Sequence, residues 1–277
     1  MGVYIKIPNV TFTKYIGIAE ITDEPIVPDV PDVPVCEHVY DNEYDTTCNK
    51  CGAVREVDVP DTYPVTDTLK GLYYLGGTVD ESLVDHSGNG NNATLVGSIT
   101  TADGYATFTG TGTTNRMDTP IKTSVENKTT AVVMFRVPTG MRSIVSNYKG
   151  SNNYGFVFTN NRAYITADGN SGNKAFSATI NSATNFAICA ISIDVNSCRV
   201  VKDGNGTLVE LMNFTDGGIY QWTQTFSIGG YRSNLSMNEN ADIALVSIHE
   251  GEVSDPQLQQ IFEHVRWYGE SKGLTIE

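Results

Sequence analysis

Short runs of alternating apolar and polar residues, separated by turn residues, fill the chain from Leu69 onward. Alternation places successive side chains on opposite faces of a strand, and the Gly, Asn and Asp residues between the runs favour turns. Regular spacing of such strands and turns is typical of an antiparallel β-sandwich. The predicted strands are Leu69–Leu75, Tyr105–Thr109, Thr130–Val137, Ser143–Tyr148, Tyr154–Thr159, Arg162–Thr166, Phe186–Asp194, Cys198–Lys202, Thr207–Leu211, Thr225–Ile228 and Asp242–His249.

One helix is predicted near the C-terminus. Ser254 and Gln257 have the spacing of a capping box, and Pro256 suits the first turn of a helix. The residues that follow recur at three- and four-residue steps and form one apolar stripe, which we expect to pack against the sandwich. The stripe consists of Leu258, Ile261, Phe262, Val265 and Tyr268.

The first quarter of the chain differs from the rest in charge and composition. Residues 1–67 carry 13 acidic and 4 basic residues, within a chain of 277 residues whose net charge is −14. The sequence PIVPDVPDVP at 25–34 predicts an extended, polyproline-like spacer, because proline fixes φ and removes hydrogen-bond donors. The predicted organisation is a β-rich anchor at 1–24, a linker at 25–35, a small metal-binding unit at 36–56, a second linker at 57–67 and the sandwich at 68–277.

The composition argues against two classes of function. Only 18 Lys and Arg residues are present, so we expect no nucleic-acid binding, which requires neutralisation of many phosphates. No run of about 18 apolar residues occurs, so we expect no membrane span. The first residues also lack the continuous apolar core of a secretory signal, which leads us to expect a protein made in the cytoplasm.

Four potential metal ligands lie within 16 positions, in the patterns Cys36-x-His38 and Cys48-x-x-Cys51. Thiolate and imidazole are the ligands that tetrahedral zinc prefers, and four ligands would make a closed, structural site. A disulfide or a reduced, flexible stretch is the alternative interpretation. The segment resembles small zinc-ribbon-like repeats of surface proteins from Gram-positive gut bacteria and their phages. The matching residues are Cys36, His38, Cys48, Cys51, Gly52 and Arg55.

The last two hundred residues contain a series of strand-like segments, from GLYYL at 71–75 to the strand and helix of residues 242–268. The order of these segments resembles the laminin-G/concanavalin-A-like jelly roll of bacterial and phage surface proteins. The ending carries the most specific part of the likeness: a D-I-A-x-V strand, an acidic turn, then S-D-x-Q-L-x-x-I entering a terminal helix. This resemblance implies a fold rather than a function, because members of the fold bind glycans, bind proteins or hydrolyse polysaccharides. The segments that carry it are GLYYL at 71–75, DHSGNGNNATL at 85–95, GYATFTGTG at 104–112, TTAVVMFRV at 129–137, FSIGGY at 226–231 and residues 242–268.

The sequence argues against an enzyme. Hydrolases of this fold carry an E-x-D-x-x-E or E-x-D-x-E set of carboxylates on one strand. Glu56-Val57-Asp58 has the first part of that spacing, but it lies in the predicted linker. The histidines are scattered, and no nucleophile-elbow motif is present. We therefore expect no catalytic residues.

A candidate calcium loop begins at Asp85. Asp85, Ser87 and Asn89 place oxygen-bearing side chains at alternate positions before Gly90, as in the first half of a calcium loop. The twelfth position, where an acidic ligand is expected, is Val96. A structural turn is the alternative interpretation of this segment.

Glycan binding needs exposed aromatic rings with amide, carboxylate or guanidinium partners nearby. Three predicted loops of the sandwich offer such groups, although packing of the same rings in the core or at its rim is the alternative. The candidate glycan-binding residues are Tyr148, Asn152, Tyr154, Tyr220, Trp222, Tyr231 and Arg232.

Together these features are typical of a binding module displayed away from a surface. We expect a phage virion protein, such as a head fibre, decoration protein or tail appendage, in which residues 1–24 dock on a capsid or tail protein. The jelly roll would bind host-surface or mucosal glycan, and a homo-oligomer would add avidity. A bacterial cell-surface adhesion protein and a structural knob without a ligand are the alternatives.

Overall fold

The computed structural model describes most of the sandwich and parts of the chain before it. The described residues are 37–39, 48–53, 62–64, 68–110, 113–122, 128–138, 140, 142–147, 155–160, 162–166, 173–177, 180, 183–194, 197–215, 225–230, 240–251 and 253–277. The chain divides into two compact units. The first comprises Met1–Asp41 and Thr46–Arg55, and the second comprises Asn42–Asp45 and Glu56–Glu277.

The second unit is a mainly β structure of two antiparallel sheets. Its strands are β1 (Leu69–Tyr74), β2 (Thr94–Val96), β3 (Thr100–Ala102), β4 (Tyr105–Phe108), β5 (Arg116–Lys122), β6 (Thr129–Arg136), β7 (Ser143–Ser146), β8 (Gly155–Thr159), β9 (Arg162–Thr166), β10 (Asn173–Ser177), β11 (Ala187–Ile193), β12 (Ser197–Asp203), β13 (Leu208–Thr215), β14 (Thr225–Ile228) and β15 (Ala241–Glu250). Its helices are α1 (Val79–Ser82) and α2 (Asp255–Ser271).

The strands of the described residues pair into two sheets. One sheet has the order β13-β12-β11-β6-β15-β4-β3, and β1 also pairs with β15. The other has the order β10-β9-β8-β7-β14-β5-β2. Sequence neighbours such as β8 and β9 pair directly, whereas β6 and β15 are more than a hundred residues apart and lie side by side. The predicted antiparallel sandwich is therefore confirmed.

The main core fills the space between the two sheets. Phe135 of β6 and Phe158 of β8 meet edge to face there, with ring centroids 5.8 Å apart. The central strands β6 and β15 are buried over nearly their whole length, because the second face of their sheet is also covered. This explains why TTAVVMFR reads as a continuous apolar run rather than an alternating one.

Helix α2 covers that second face. The predicted stripe residues Leu258, Ile261, Phe262 and Val265 are all buried, and they pack with Val132, Met134 and Leu245 in a second apolar cluster. The predicted helix start is also confirmed: the side chain of Gln257 accepts a hydrogen bond from the Ser254 N–H at 3.0 Å. Within the described part of the chain, no helix has the length and apolarity needed to span a bilayer.

All eleven predicted strands are present, and the described residues contain four further strands that were not predicted. Strand β5 shows why the pattern missed one of them. Pro120 interrupts its sequence, and proline is disfavoured inside sheets because it lacks an N–H donor. In the structure Pro120 lies where the pairing of β5 with β14 is irregular. The register shifts between the pairs Thr225–Lys122 and Ser227–Asp118.

Candidate functional site

Three of the four predicted zinc ligands lie together. The ligand atoms of His38, Cys48 and Cys51 are all within 4.8 Å of one another, and Cys51 Sγ lies 3.5 Å from His38 Nδ1. Two thiolates and an imidazole at such distances can bind a metal ion. The fourth predicted ligand, Cys36, lies outside the described residues.

The backbone around these side chains forms a tight turn. The N–H of Gly52 donates to the carbonyl of Cys48 at 2.8 Å, and the N–H of Asn49 donates to the carbonyl of Val39 at 2.8 Å. Gly52 has a φ of +69°, which side-chain-bearing residues rarely adopt. The Cys48-x-x-Cys51-Gly52 pattern therefore brings both sulfurs to the side of the turn that His38 approaches.

The surroundings of Cys48 favour a thiolate. Burial of the sulfur opposes ionisation, but hydrogen bonds from the backbone of Val39, Cys51 and Lys50 and from the side chain of His38 outweigh it, and the pKa falls to about 5. The N–H of Val39 lies 3.3 Å from Cys48 Sγ. Donors to a sulfur also stabilise the anionic form that a metal requires.

The Asp85 loop has the geometry of a structural turn. The Asp85 carboxylate accepts from the backbone N–H groups of Leu72, Ser87 and Asn91 at 2.8–3.0 Å, and from the Ser87 hydroxyl at 2.9 Å. The side chain of Asn89 donates to the carbonyl of Leu69. Ser87 thus donates to the Asp85 carboxylate and Asn89 to the backbone, and the carboxylate already accepts four hydrogen bonds, whereas calcium needs converging acceptor oxygens. We interpret the loop as structural.

The predicted glycan-binding residues fall outside the part of the chain that the structure describes. This holds for each of Tyr148, Asn152, Tyr154, Tyr220, Trp222, Tyr231 and Arg232. Their assignment stays a prediction.

A polar cleft of about 400 Å³ lies elsewhere on the second unit, between the β12–β13 hairpin and helix α2. The hairpin contributes residues 203 and 205–208, and the helix contributes Gln259, Phe262, Glu263 and Arg266. Inside it, the carboxylate of Asp203 is 3% exposed and forms an ion pair with Arg266. The sequence predicted the strands Cys198–Lys202 and Thr207–Leu211 and the helix separately, but no local pattern indicated that the segment between those strands meets the helix.

A buried cluster of hydroxyl and imidazole groups lies under α2. The hydroxyl of Tyr63 donates to Ser247 Oγ at 2.6 Å and lies 3.2 Å from His249 Nε2. Tyr74 and His264 are joined by a 2.9 Å hydrogen bond, and His264 Nδ1 is buried without a hydrogen-bond partner. Burial lowers the pKa of His249 and of His264 to about 4, so both rings are neutral at pH 7. Tyr63 therefore belongs to the packed structure, although it lies in the predicted second linker.

No protein-family model matches the sequence, and no curated protein matches it. Solved structures with a similar fold do exist. The binding domain of Paraclostridial Mosquitocidal Protein 1 is 14% identical, with a TM-score of 0.53 over 71% of this chain and 52% of that one. A botulinum neurotoxin type C structure is 11% identical, with a TM-score of 0.52 over 71% and 51%.

Domain 4 of AbnA, an extracellular arabinanase from Geobacillus stearothermophilus, is matched over nearly its whole length. It is 18% identical, with a TM-score of 0.51 over 70% of this chain and 98% of that one, and its structure is a complex with arabinotriose. The chain covers about half the length of the two toxin structures and nearly the whole arabinanase domain. At these identities the similarities show a fold that the chain shares with the mosquitocidal-toxin binding domain, the neurotoxin structure and domain 4 of AbnA.

Proposed function

We propose that this protein is a non-enzymatic binding protein whose β-sandwich binds glycan. The observation that carries the proposal is the match to the arabinanase domain. The match covers 98% of that domain, whose structure is a complex with arabinotriose. The botulinum neurotoxin type C structure adds support, since cell entry of that toxin depends on interaction with two ganglioside molecules. Binding rather than hydrolysis is the better-supported activity, because the sequence lacks the carboxylate set of the hydrolases.

The first unit of this binding protein holds structural zinc in our proposal. His38, Cys48 and Cys51 would supply three ligands, and Cys36 would supply the fourth. The donor set supports zinc, because two or three thiolates with one imidazole match its preference, and the lowered pKa of Cys48 supplies a thiolate at neutral pH. A site closed by four protein ligands stabilises a fold and leaves no position for a substrate.

We place the protein on the surface of a phage particle, where residues 1–24 dock on a capsid or tail protein and the sandwich faces outward. Two features support this placement: the division of the chain into two units, and the resemblance of the metal-ligand segment to repeats of phage and bacterial surface proteins. Many copies on one particle would convert weak sugar binding into firm attachment.

A glycan array probed with the full chain, displayed as multiple copies on a bead, tests the binding function. We expect reproducible binding to one class of sugar, and we expect that added calcium does not change it. A blank array from folded protein would overturn glycan binding and favour the structural knob. Sugar-dependent hydrolysis would overturn the non-enzymatic assignment.

Mass spectrometry of purified phage particles tests the placement separately. We expect the chain in the particles at a fixed copy number relative to the major capsid protein. Recovery only from the bacterial cell envelope would favour a cell-surface adhesion protein instead.

A further inference from the structure

The cleft between the β12–β13 hairpin and α2 has walls that are held in place. The Asp203 carboxylate accepts from the N–H of Gly206 at 2.9 Å and pairs with Arg266 on the helix. The side-chain amide of Gln259 donates to the carbonyl of Gly206 at 2.8 Å. The hairpin tip is thus tied to the helix at two points, and the cleft between them is preformed. A preformed site loses less conformational entropy when a ligand binds.

The shape of the hairpin tip presents a side chain to the cleft. Asn205 has a φ of +60° and Gly206 a φ of +85°, the combination that a tight Asn-Gly hairpin turn requires. The N–H of Gly204 closes the turn on the carbonyl of Thr207 at 2.7 Å. Asn205 is exposed and lines the cleft, so its amide can both donate and accept there.

The helix side of the cleft supplies a hydrogen-bond acceptor, and both sides add apolar surface. Glu263 is exposed on the helix and offers a carboxylate, while Phe262 and Leu208 contribute apolar surface. A carboxylate facing an amide can accept from and donate to adjacent hydroxyl groups, as sugar rings require. A volume of about 400 Å³ falls in the range of small-molecule sites.

The charges of the cleft indicate which sugars it accepts. It holds two carboxylates, Asp203 and Glu263, against one guanidinium, Arg266. That guanidinium is already paired with Asp203, so it does not offer a free cation to an anionic ligand. A phosphate, a sulfate or an acidic sugar would meet net negative charge, whereas a neutral sugar would meet matched donors and acceptors.

We propose that the cleft binds one neutral sugar residue of the glycan, with Asn205 and Glu263 hydrogen-bonding to its adjacent hydroxyl groups. This inference rests on the proposed glycan-binding function and locates it at a site outside the loops that sequence reasoning selected.

The test compares the full chain with three variants on neutral and acidic glycans. Asn205→Gly removes the amide and keeps a residue that tolerates positive φ, while Glu263→Ala removes the carboxylate from an exposed helix position. Gln260→Ala is the matched control, because Gln260 is exposed on the same helix and does not line the cleft. Unchanged unfolding midpoints check that each variant folds.

We expect neutral sugars to bind, each cleft variant to raise the Kd at least tenfold, and Gln260→Ala to change it less than twofold. A bound neutral sugar whose affinity is unchanged in both cleft variants would overturn the cleft and leave glycan binding standing. Binding of acidic glycans alone would also overturn the cleft and leave glycan binding standing. A chain that binds no sugar at all would overturn the cleft together with the proposed function.

Discussion

The segment with the candidate metal ligands (residues 36–56) and the sandwich differ in how much apolar surface each buries. Of the nine residues of the first unit that the structure describes, Cys48 alone is buried. The sandwich has two apolar clusters, one between its sheets and one under α2. Burial of apolar side chains therefore stabilises the second unit. The described part of the first unit offers almost no such burial, so we expect the ligand bonds of a metal to order that part.

This difference predicts that the two units respond to different perturbations. Loss of the metal would remove most of the folding free energy of the first unit and little from the second. Loss of a core side chain would lower the folding free energy of the second unit and leave that of the first unchanged.

The largest effect is expected from replacing a metal ligand. Cys48→Ser should reduce bound zinc from about one ion per chain to nearly none and unfold the first unit, because structural zinc contributes roughly 10–16 kcal/mol to such sites. Elemental analysis after dialysis and amide NMR shifts measure the two effects. Zinc retained at one ion per chain would contradict the assignment.

The matched control for that experiment is Cys198→Ala, which removes a thiol from the sandwich. Cys198 is fully buried in β12, and burial raises the pKa of its thiol to about 12, so it is not a thiolate at neutral pH. This variant should keep its zinc and lower the unfolding midpoint of the sandwich.

A core substitution should have the opposite signature. Phe135→Ala removes a ring that is 0% exposed and should lower the free energy of unfolding of the sandwich by about 3–5 kcal/mol, with zinc content unchanged. Denaturant unfolding followed by near-ultraviolet circular dichroism measures it. Val209→Ala is the control, since Val209 is 44% exposed and should change stability by less than about 0.5 kcal/mol.

The sequence predicted those features that depend on neighbouring residues. The alternating runs located the strands, and the Ser254–Gln257 spacing located the start of α2. Three candidate metal ligands could be predicted because Cys48 and Cys51 share a short Cys-x-x-Cys turn and His38 lies only ten positions before it. Strand β5 was missed because Pro120 argues against a strand unless its irregular register is known.

Features that depend on distant residues could not be predicted in this way. Asp203 and Arg266 are 63 positions apart, and their ion pair depends on how α2 packs across the sheet. The same holds for Tyr63, which lies among Pro and Asp residues that favour a linker and nevertheless contacts Ser247. Both contacts depend on tertiary packing, which a local sequence pattern does not contain.

Acid should destabilise the sandwich through its buried histidines. Burial lowers the pKa of His249 and His264 to about 4, whereas the unfolded chain has a histidine pKa near 6.5. Below pH 6.5 the unfolded state binds protons that the folded state does not, so stability falls as the pH decreases from about 6.5 to about 4. We expect a loss of at most roughly 3 kcal/mol for each histidine over that window.

Unfolding midpoints measured between pH 7.5 and 4 check this prediction. Among the described residues, the groups that contact these rings include the hydroxyls of Tyr63, Thr68, Tyr74 and Ser247 and the Trp267 ring. The double variant His249→Gln with His264→Gln should flatten the pH dependence in that window. The exposed His86 provides the control, because His86→Ala should leave the dependence intact.

The smallest effect concerns whether Tyr63 belongs with the sandwich. Tyr63→Phe removes the hydroxyl that bonds Ser247 and keeps the ring, whose centroid is 5.0 Å from that of His264. The free energy of unfolding of the sandwich should fall by about 1 kcal/mol, the usual net contribution of one hydrogen bond, while the zinc content stays the same. A double-mutant cycle with Ser247→Ala isolates the contact, and we expect a coupling of similar size. Full additivity of the two variants would show that the Tyr63–Ser247 hydrogen bond contributes no coupling, and an unchanged stability in Tyr63→Ala as well would return residues 57–67 to the role of a linker.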